Sequence, residues 1–245
     1  MFDSLKNTLG LDTLKVDTRL NQESCMVGTS LKGTVTIKGT KHDKTVNHVN
    51  LHLITIAEQD TDDGDFTKAH TLGSVRLANQ LIVPANDQIV LPFELTLSAE
   101  TPITHISYPH HNNTRLWLHT DVDVARTLDS SDKDPIHTTP TPIMSRFLDA
   151  MSKVGFHLVK SDVELGYLNT PYGRSSFGCY QEFEYAGRGF GLNSVEVSFL
   201  PVGNLTHVVL EIDRAFRSDS YGVLTLNDTM SVLDMANMIR QKVGV

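Results

Sequence analysis

Along much of this chain apolar and polar residues alternate with a period of two, which places successive side chains on opposite faces of half-buried strands. Leu31, Gly33, Val35 and Ile37 fall on one face, and Lys32, Thr34, Thr36 and Lys38 on the other. The same alternation returns in Val49, Leu51 and Leu53, in Ile89, Leu91, Phe93, Leu95 and Leu97, and in Leu116, Leu118, Val122 and Val124. Between these runs lie the acidic stretch Gln59-Asp60-Thr61-Asp62-Asp63-Gly64-Asp65 and a proline-punctuated stretch over 98–109, both of which read as turns or surface loops.

The alternation stops at 129–142, where Ser130-Ser131-Asp132-Lys133-Asp134-Pro135 and Thr138-Thr139-Pro140-Thr141-Pro142 have the composition of a linker. A helix follows: Thr141 suits the N-cap, Pro142 the first helical position, and Ile143, Met144, Phe147, Leu148 and Met151 recur at helical spacing until Gly155. The strand period then resumes in Phe177, Cys179, Phe183 and Tyr185, in Val195, Val197 and Phe199, and in Val208, Leu210 and Ile212. From 227 to 245 the pattern turns helical again, with Met230, Leu233, Met238 and Ile239 as candidate face residues. These elements predict an all-β protein of two consecutive antiparallel β-sandwich domains, residues 1–137 and 138–245, with a helix at about 142–154 opening the second. Phe2, Leu5 and Leu9 are spaced for a short N-terminal helix packed on its own domain.

A formal charge of -8 over 245 residues argues against a nucleic-acid binder, which needs clustered Lys and Arg to displace counterions from phosphates. Two cysteines, Cys25 and Cys179, are too few for a disulfide-stapled secreted scaffold, so a reducing, cytoplasmic setting is expected. The N-terminus lacks a signal-peptide pattern, and no apolar run approaches the ~20 residues that span a bilayer, so stable membrane insertion is not expected.

Three groups of segments resemble the bacterial sporulation-control protein M family. They are Leu14-Lys15-Val16-Asp17-Thr18 with Leu31-Lys32-Gly33-Thr34-Val35-Thr36-Ile37-Lys38-Gly39; Leu116-Trp117-Leu118-His119-Thr120-Asp121-Val122-Asp123-Val124-Ala125 with Asp129-Ser130-Ser131-Asp132-Lys133-Asp134-Pro135-Ile136; and Gln181-Glu182-Phe183-Glu184-Tyr185, Val195-Glu196-Val197-Ser198-Phe199-Leu200-Pro201 and Leu210-Glu211-Ile212-Asp213-Arg214. The resemblance implies an arrestin-like fold and a cytoplasmic regulatory or adaptor protein that acts through contacts with protein partners. Self-association stays open, and neither a cofactor nor catalysis is expected. The last thirty residues depart from that pattern.

The remaining question is whether any cluster of polar residues carries chemistry. On the strand ending at Arg126, parity places Trp117, His119, Asp121 and Asp123 together, opposite the apolar face. Two carboxylates on one face could serve general acid/base catalysis, but nothing nearby supplies a nucleophile. The favoured reading is an interdomain polar network in which Asp121, Asp123, Asp132 and Asp134 meet Arg126 and Arg214 and fix the angle between the domains. The run Asp129, Asp132, Asp134 lacks the spacing of a calcium loop, as do Asp60, Asp62, Asp63 and Asp65. His110-His111 point apart on an extended chain, and His48 and His52 are ~13 Å apart along a strand, too far to share a metal. Gly187, Gly189 and Gly191 read as a hairpin connection, and no phosphate or dinucleotide loop occurs. Two other readings stay open: a small-ligand or carbohydrate module using Trp117, Tyr172 or Tyr180 as stacking platforms, and a carboxylate-dependent hydrolase built on Asp121 or Asp123.

Overall fold

The computed structural model describes residues 12–59, 66–187, 191–215, 218 and 220–245. The N-terminal pattern at Phe2, Leu5 and Leu9, the acidic residues 60–65 and Gly189 lie outside the described residues. In chain order the elements are β1 (Lys15–Leu20), β2 (Cys25–Met26), β3 (Ser30–Lys38), β4 (Lys44–Gln59), β5 (Phe66–Val83), β6 (Gln88–Thr96), β7 (His111–Asn112), β8 (Leu116–Val124), β9 (Ser130–Pro135) and β10 (Thr138–Thr139). Then come α1 (Pro142–Val154), β11 (His157–Leu165), β12 (Asn169–Thr170), β13 (Gly173–Arg174), β14 (Cys179–Ala186), β15 (Ser194–Val202), β16 (Leu205–Asp213), β17 (Ser220–Leu226) and α2 (Val232–Val243).

In the first sandwich a sheet ordered β1-β3-β6 faces the strands β9-β8-β4-β5. The alternating runs fill the space between: Leu31, Val35, Ile37, Val49, Leu51, Leu118 and Val122 are all buried in one cluster. Gly33 is required at its position, because a Cβ there would lie 2.4 Å from the Arg19 carbonyl of β1 and 2.6 Å from the Phe93 ring of β6. Buried polar contacts stitch the sheets at the β1 side: Thr18 Oγ1 lies 2.6 Å from Thr120 Oγ1, and Ser130 Oγ donates to the Leu14 carbonyl at 2.8 Å.

The expected linker at 129–142 is a correction. Ser130–Pro135 is strand β9, paired antiparallel with β8 from Val122↔Ser130 to Trp117↔Pro135. Thr138–Thr139 pairs in parallel with Cys25–Met26. Composition misleads here because β9 packs through Ser130 and the following Ile136, not through an alternating apolar face.

In the second sandwich the sheet β17-β16-β15-β14-β11 is covered on one face by α1 and α2. On the other face the ribbon β12–β13 covers part of it, with the Tyr172 ring stacked 4.4 Å from His207 of β16. Helices thus supply most of the facing layer. Helix α1 forms as its sequence predicts: Thr141 Oγ1 accepts from the Met144 amide at 3.4 Å, Pro142 opens the helix, and Gly155 ends it at φ 100, a left-handed conformation that glycine adopts without strain. Ile143, Met144, Phe147, Leu148 and Met151 are buried, as their spacing predicts. Helix α2 starts with a reciprocal cap between Ser231 and Asp234 and buries Met235, Ala236, Ile239 and Val243. Leu233, expected on the packed face, is exposed.

The two sandwiches share one ten-stranded sheet, joined where β11 runs parallel to β4 at the pair Glu164↔Glu58. Each hydrophobic cluster borrows from across the seam: Val163 and Cys179 pack into the first, Val27 and Ile103 into the second.

Candidate functional site

The structure separates the six residues expected to form the interdomain network. Asp121 and Asp123 lie on the outward face of β8, where Asp123 accepts from Asn47 Nδ2 at 2.8 Å and sits 3.4 Å from His48 Nδ1. Asp132 accepts the Thr18 amide of β1 at 2.7 Å. Asp134 beside it is pushed up to about 6 by burial and by the neighbouring Asp132 and Asp17 carboxylates. Arg126 occupies the turn between β8 and β9, with φ 62. Arg214 donates to the Val243 carbonyl at the C-terminus of α2, where the helix dipole favours a cation. Among the described residues neither arginine makes an ion pair with any of the four aspartates. The reason is topological: β9 folds back onto β8, so Asp132 and Asp134 face β1 within the first domain, and Arg214 leaves β16 toward α2.

The charged cluster at the seam is built from other residues. Lys160 on β11 reaches Glu58 Oε2 on β4 at 3.4 Å and also pairs with the Asp162 carboxylate. One ammonium thereby ties the second domain's strand to the first domain's. Burial works against that charge, but Asp162 and Glu58 outweigh it and hold Lys160 above the ordinary lysine range. Glu58, Asp162 and Glu164 bring their acceptor atoms within 4.8 Å of one another. Such oxygens suit a hard cation, yet the chain's own ammonium already rests on two of them.

From this clasp a row of carboxylates crosses the open face of the second sheet. Asp162 lies opposite Glu182, Glu184 opposite Glu196, and Glu196 opposite Glu211. They line an open groove of about 620 Å³ with Glu58, Glu164, Lys160 and Tyr180, so among the described lining residues there are seven carboxylates and one lysine. Like charges directly opposite on neighbouring strands oppose sheet formation. Burial and crowding make the charged form costly: burial, then Glu196 and Glu164, push Glu182 up to about 8, and burial with Glu211 and Glu184 pushes Glu196 up to about 7. The Tyr180 phenol is raised as well, by burial and then Glu182. At the outer end Tyr221 Oη donates to Glu211 Oε1 at 2.6 Å.

Parity along Gln181-Glu182-Phe183-Glu184-Tyr185 already puts the glutamates opposite the apolar face; what it leaves out is β11, which brings Lys160, Asp162 and Glu164 alongside them. Three of the four histidines weighed as ligands have other partners, His110 with the Tyr108 carbonyl and Ser161, His52 with Ser74, and His48 with Asp123. The three aromatics weighed as sugar platforms do not form one open cluster. Lys133 caps Trp117 at 3.9 Å, Tyr172 stacks on His207, and Tyr180 lies among the glutamates.

A scan against family models matches residues 2–216 to the SpoOM protein family. The sporulation-control protein spo0M of Bacillus subtilis is 29% identical over 220 residues, covering 88% of this chain and 81% of that protein. The crystal structure of Spo0M from Bacillus subtilis superposes with a TM-score of 0.81 at 23% identity, covering 93% of this chain and 96% of that one. With the family model spanning most of its length, this two-sandwich chain belongs to the SpoOM protein family.

Proposed function

We propose that this protein is a cytoplasmic regulator that works by binding rather than catalysis, and that its acidic groove receives a Lys- or Arg-bearing segment of a protein partner. The observation that carries the reading is the directly opposed row Glu184, Glu196 and Glu211. A sheet that keeps like charges against each other gives up stability, and such local conflicts concentrate where function demands them. A cationic segment would neutralise the row, and a groove of single-sign charge also steers an oppositely charged partner and raises its on-rate. The name of the Bacillus subtilis relative, a sporulation-control protein, supports a regulatory role. The absence of a helix long and apolar enough to cross a membrane among the described residues is compatible with a partner met in solution.

Comparing proteins cross-linked in cells to the wild-type chain and to a Glu184→Gln/Glu211→Gln variant tests the proposal. Both substitutions keep the side-chain shape and remove charge. The reading expects the variant to lose at least tenfold of a salt-sensitive partner; identical recovery by both proteins would refute it.

A further inference from the structure

A second feature lies at the seam itself, away from the acidic face. The connection 97–103 leaves the first core at Leu97 and enters the second at Ile103. Thr101 lies midway, 2% exposed, and its Oγ1 finds no hydrogen-bond partner among the described residues. A buried hydroxyl without a partner is destabilising, so its surroundings must supply one. Those surroundings are a cavity of about 20 Å³ where residues of both cores meet, lined by Thr101, Ser175, Cys179, Gln181, Phe183 and Met144 among others. One water needs roughly 10–15 Å³ of such space, so the cavity has room for one molecule and not a cluster.

The neighbouring polar groups decide what that molecule can bond. Gln181 has no donor left: its amide donates to the Ile103 carbonyl at 2.8 Å and to Thr114 Oγ1 at 2.9 Å, while its oxygen accepts the Ile103 amide at 2.7 Å. The Glu100 carboxylate holds the Ser176 amide at 2.8 Å and the Ser176 hydroxyl at 3.1 Å. Ser175 differs. Its Oγ accepts the Leu168 amide at 2.9 Å, which leaves its own proton to give. The Cys179 thiol, pushed up to about 12 by burial and then Glu100, stays protonated and is a weak donor. We propose that the cavity between the two cores is a binding site for a single water molecule, held by the Thr101 hydroxyl with Ser175 as second ligand, which bridges the crossing segment to the second domain.

Two substitutions separate this from a dry void. Thr101→Val keeps the branched shape and removes the hydroxyl, whereas Thr101→Ser keeps the hydroxyl. In crystal structures at about 1.5 Å resolution the wild type and Thr101→Ser should each show one density peak within hydrogen-bond distance of the residue-101 oxygen, absent in Thr101→Val. Oxygen-17 relaxation dispersion should count one long-lived water fewer in Thr101→Val. The sign of the thermal shift gives a third readout: with a bound water the Val variant melts lower, whereas in a dry cavity removing an unpaired hydroxyl raises the melting temperature. A dry wild-type cavity, or a water retained unchanged in Thr101→Val, overturns the proposal. Should Thr101→Val fail to fold, the wild-type and Thr101→Ser structures still decide it.

Discussion

Replacing Lys160 with Met tests whether the clasp between the sandwiches holds them together. Lys160 lies 3.4 Å from Glu58 and pairs with Asp162, and the two carboxylates are only 18% and 9% exposed at the side chain. At an effective dielectric of about 20, a pair at that distance attracts by roughly 5 kcal/mol, most of it offset by the desolvation of partly buried charges. Removing the ammonium also leaves Glu58 and Asp162, whose acceptor atoms lie within 4.8 Å of each other, without the Lys160 charge between them. Breaking a fully buried pair costs about 3–5 kcal/mol; with Lys160 about a third exposed, we expect about 2–3 kcal/mol near pH 8. The pH dependence has a definite sign. Lys160 is held above its ordinary value, so in the wild type its contribution is complete below about pH 10 and varies little between pH 5 and 8. In the variant the carboxylates lose the ammonium that offsets their mutual repulsion, and that repulsion is felt most where they are fully ionised. Urea unfolding at pH 5 and pH 8 should therefore show a larger loss at pH 8, together with a larger radius of gyration by small-angle scattering. A variant within about 0.5 kcal/mol of wild type at both pH values, with unchanged scattering, would refute the clasp.

Two further predictions concern single residues. Glu182, raised to about 8, binds its proton more tightly folded than unfolded, so its ionisation lowers stability as pH rises from about 4.5 through 8; Glu182→Gln should flatten urea-derived stability across that window and raise it at pH 8, and an unchanged slope would contradict the electrostatics of the groove. Arg214→Ala should cost about 1 kcal/mol and speed amide exchange at the end of α2, where the guanidinium meets the Val243 carbonyl, without altering small-angle scattering; a changed scattering profile would restore Arg214 to the interdomain role read from the sequence.

What the sequence shows and hides follows from where periodicity survives. Helix α1 is legible because cap, proline, apolar spacing and terminal glycine agree. The alternating strands β3, β6 and β8 are legible because one face of each is apolar. Strand β11 is not: Ser161 and Asp162 are buried beside Val163, so its polar and apolar positions no longer alternate. Ser161 is tolerated inside because its hydroxyl donates to Asn112 Oδ1, and Asp162 because Lys160 pairs with it. β11 is also the strand that joins the domains and carries half of the clasp, so missing it hides the site. The charge cluster at the seam consists of Glu58, Lys160 and Asp162, none of them among Asp121, Asp123, Arg126, Asp132, Asp134 and Arg214, because strand order, which no single segment encodes, decides what meets there.

A cationic partner seated on the glutamate row is open to zero-length carbodiimide coupling, because the reagent joins a carboxylate only to an amine in contact with it. Treatment of cells expressing the wild-type chain, followed by mass spectrometry of the coupled peptides, should join partner lysines to Glu184, Glu196 or Glu211, with yields that fall as salt is raised. Partner lysines coupled only to carboxylates outside the groove, at yields that salt does not change, would contradict the account.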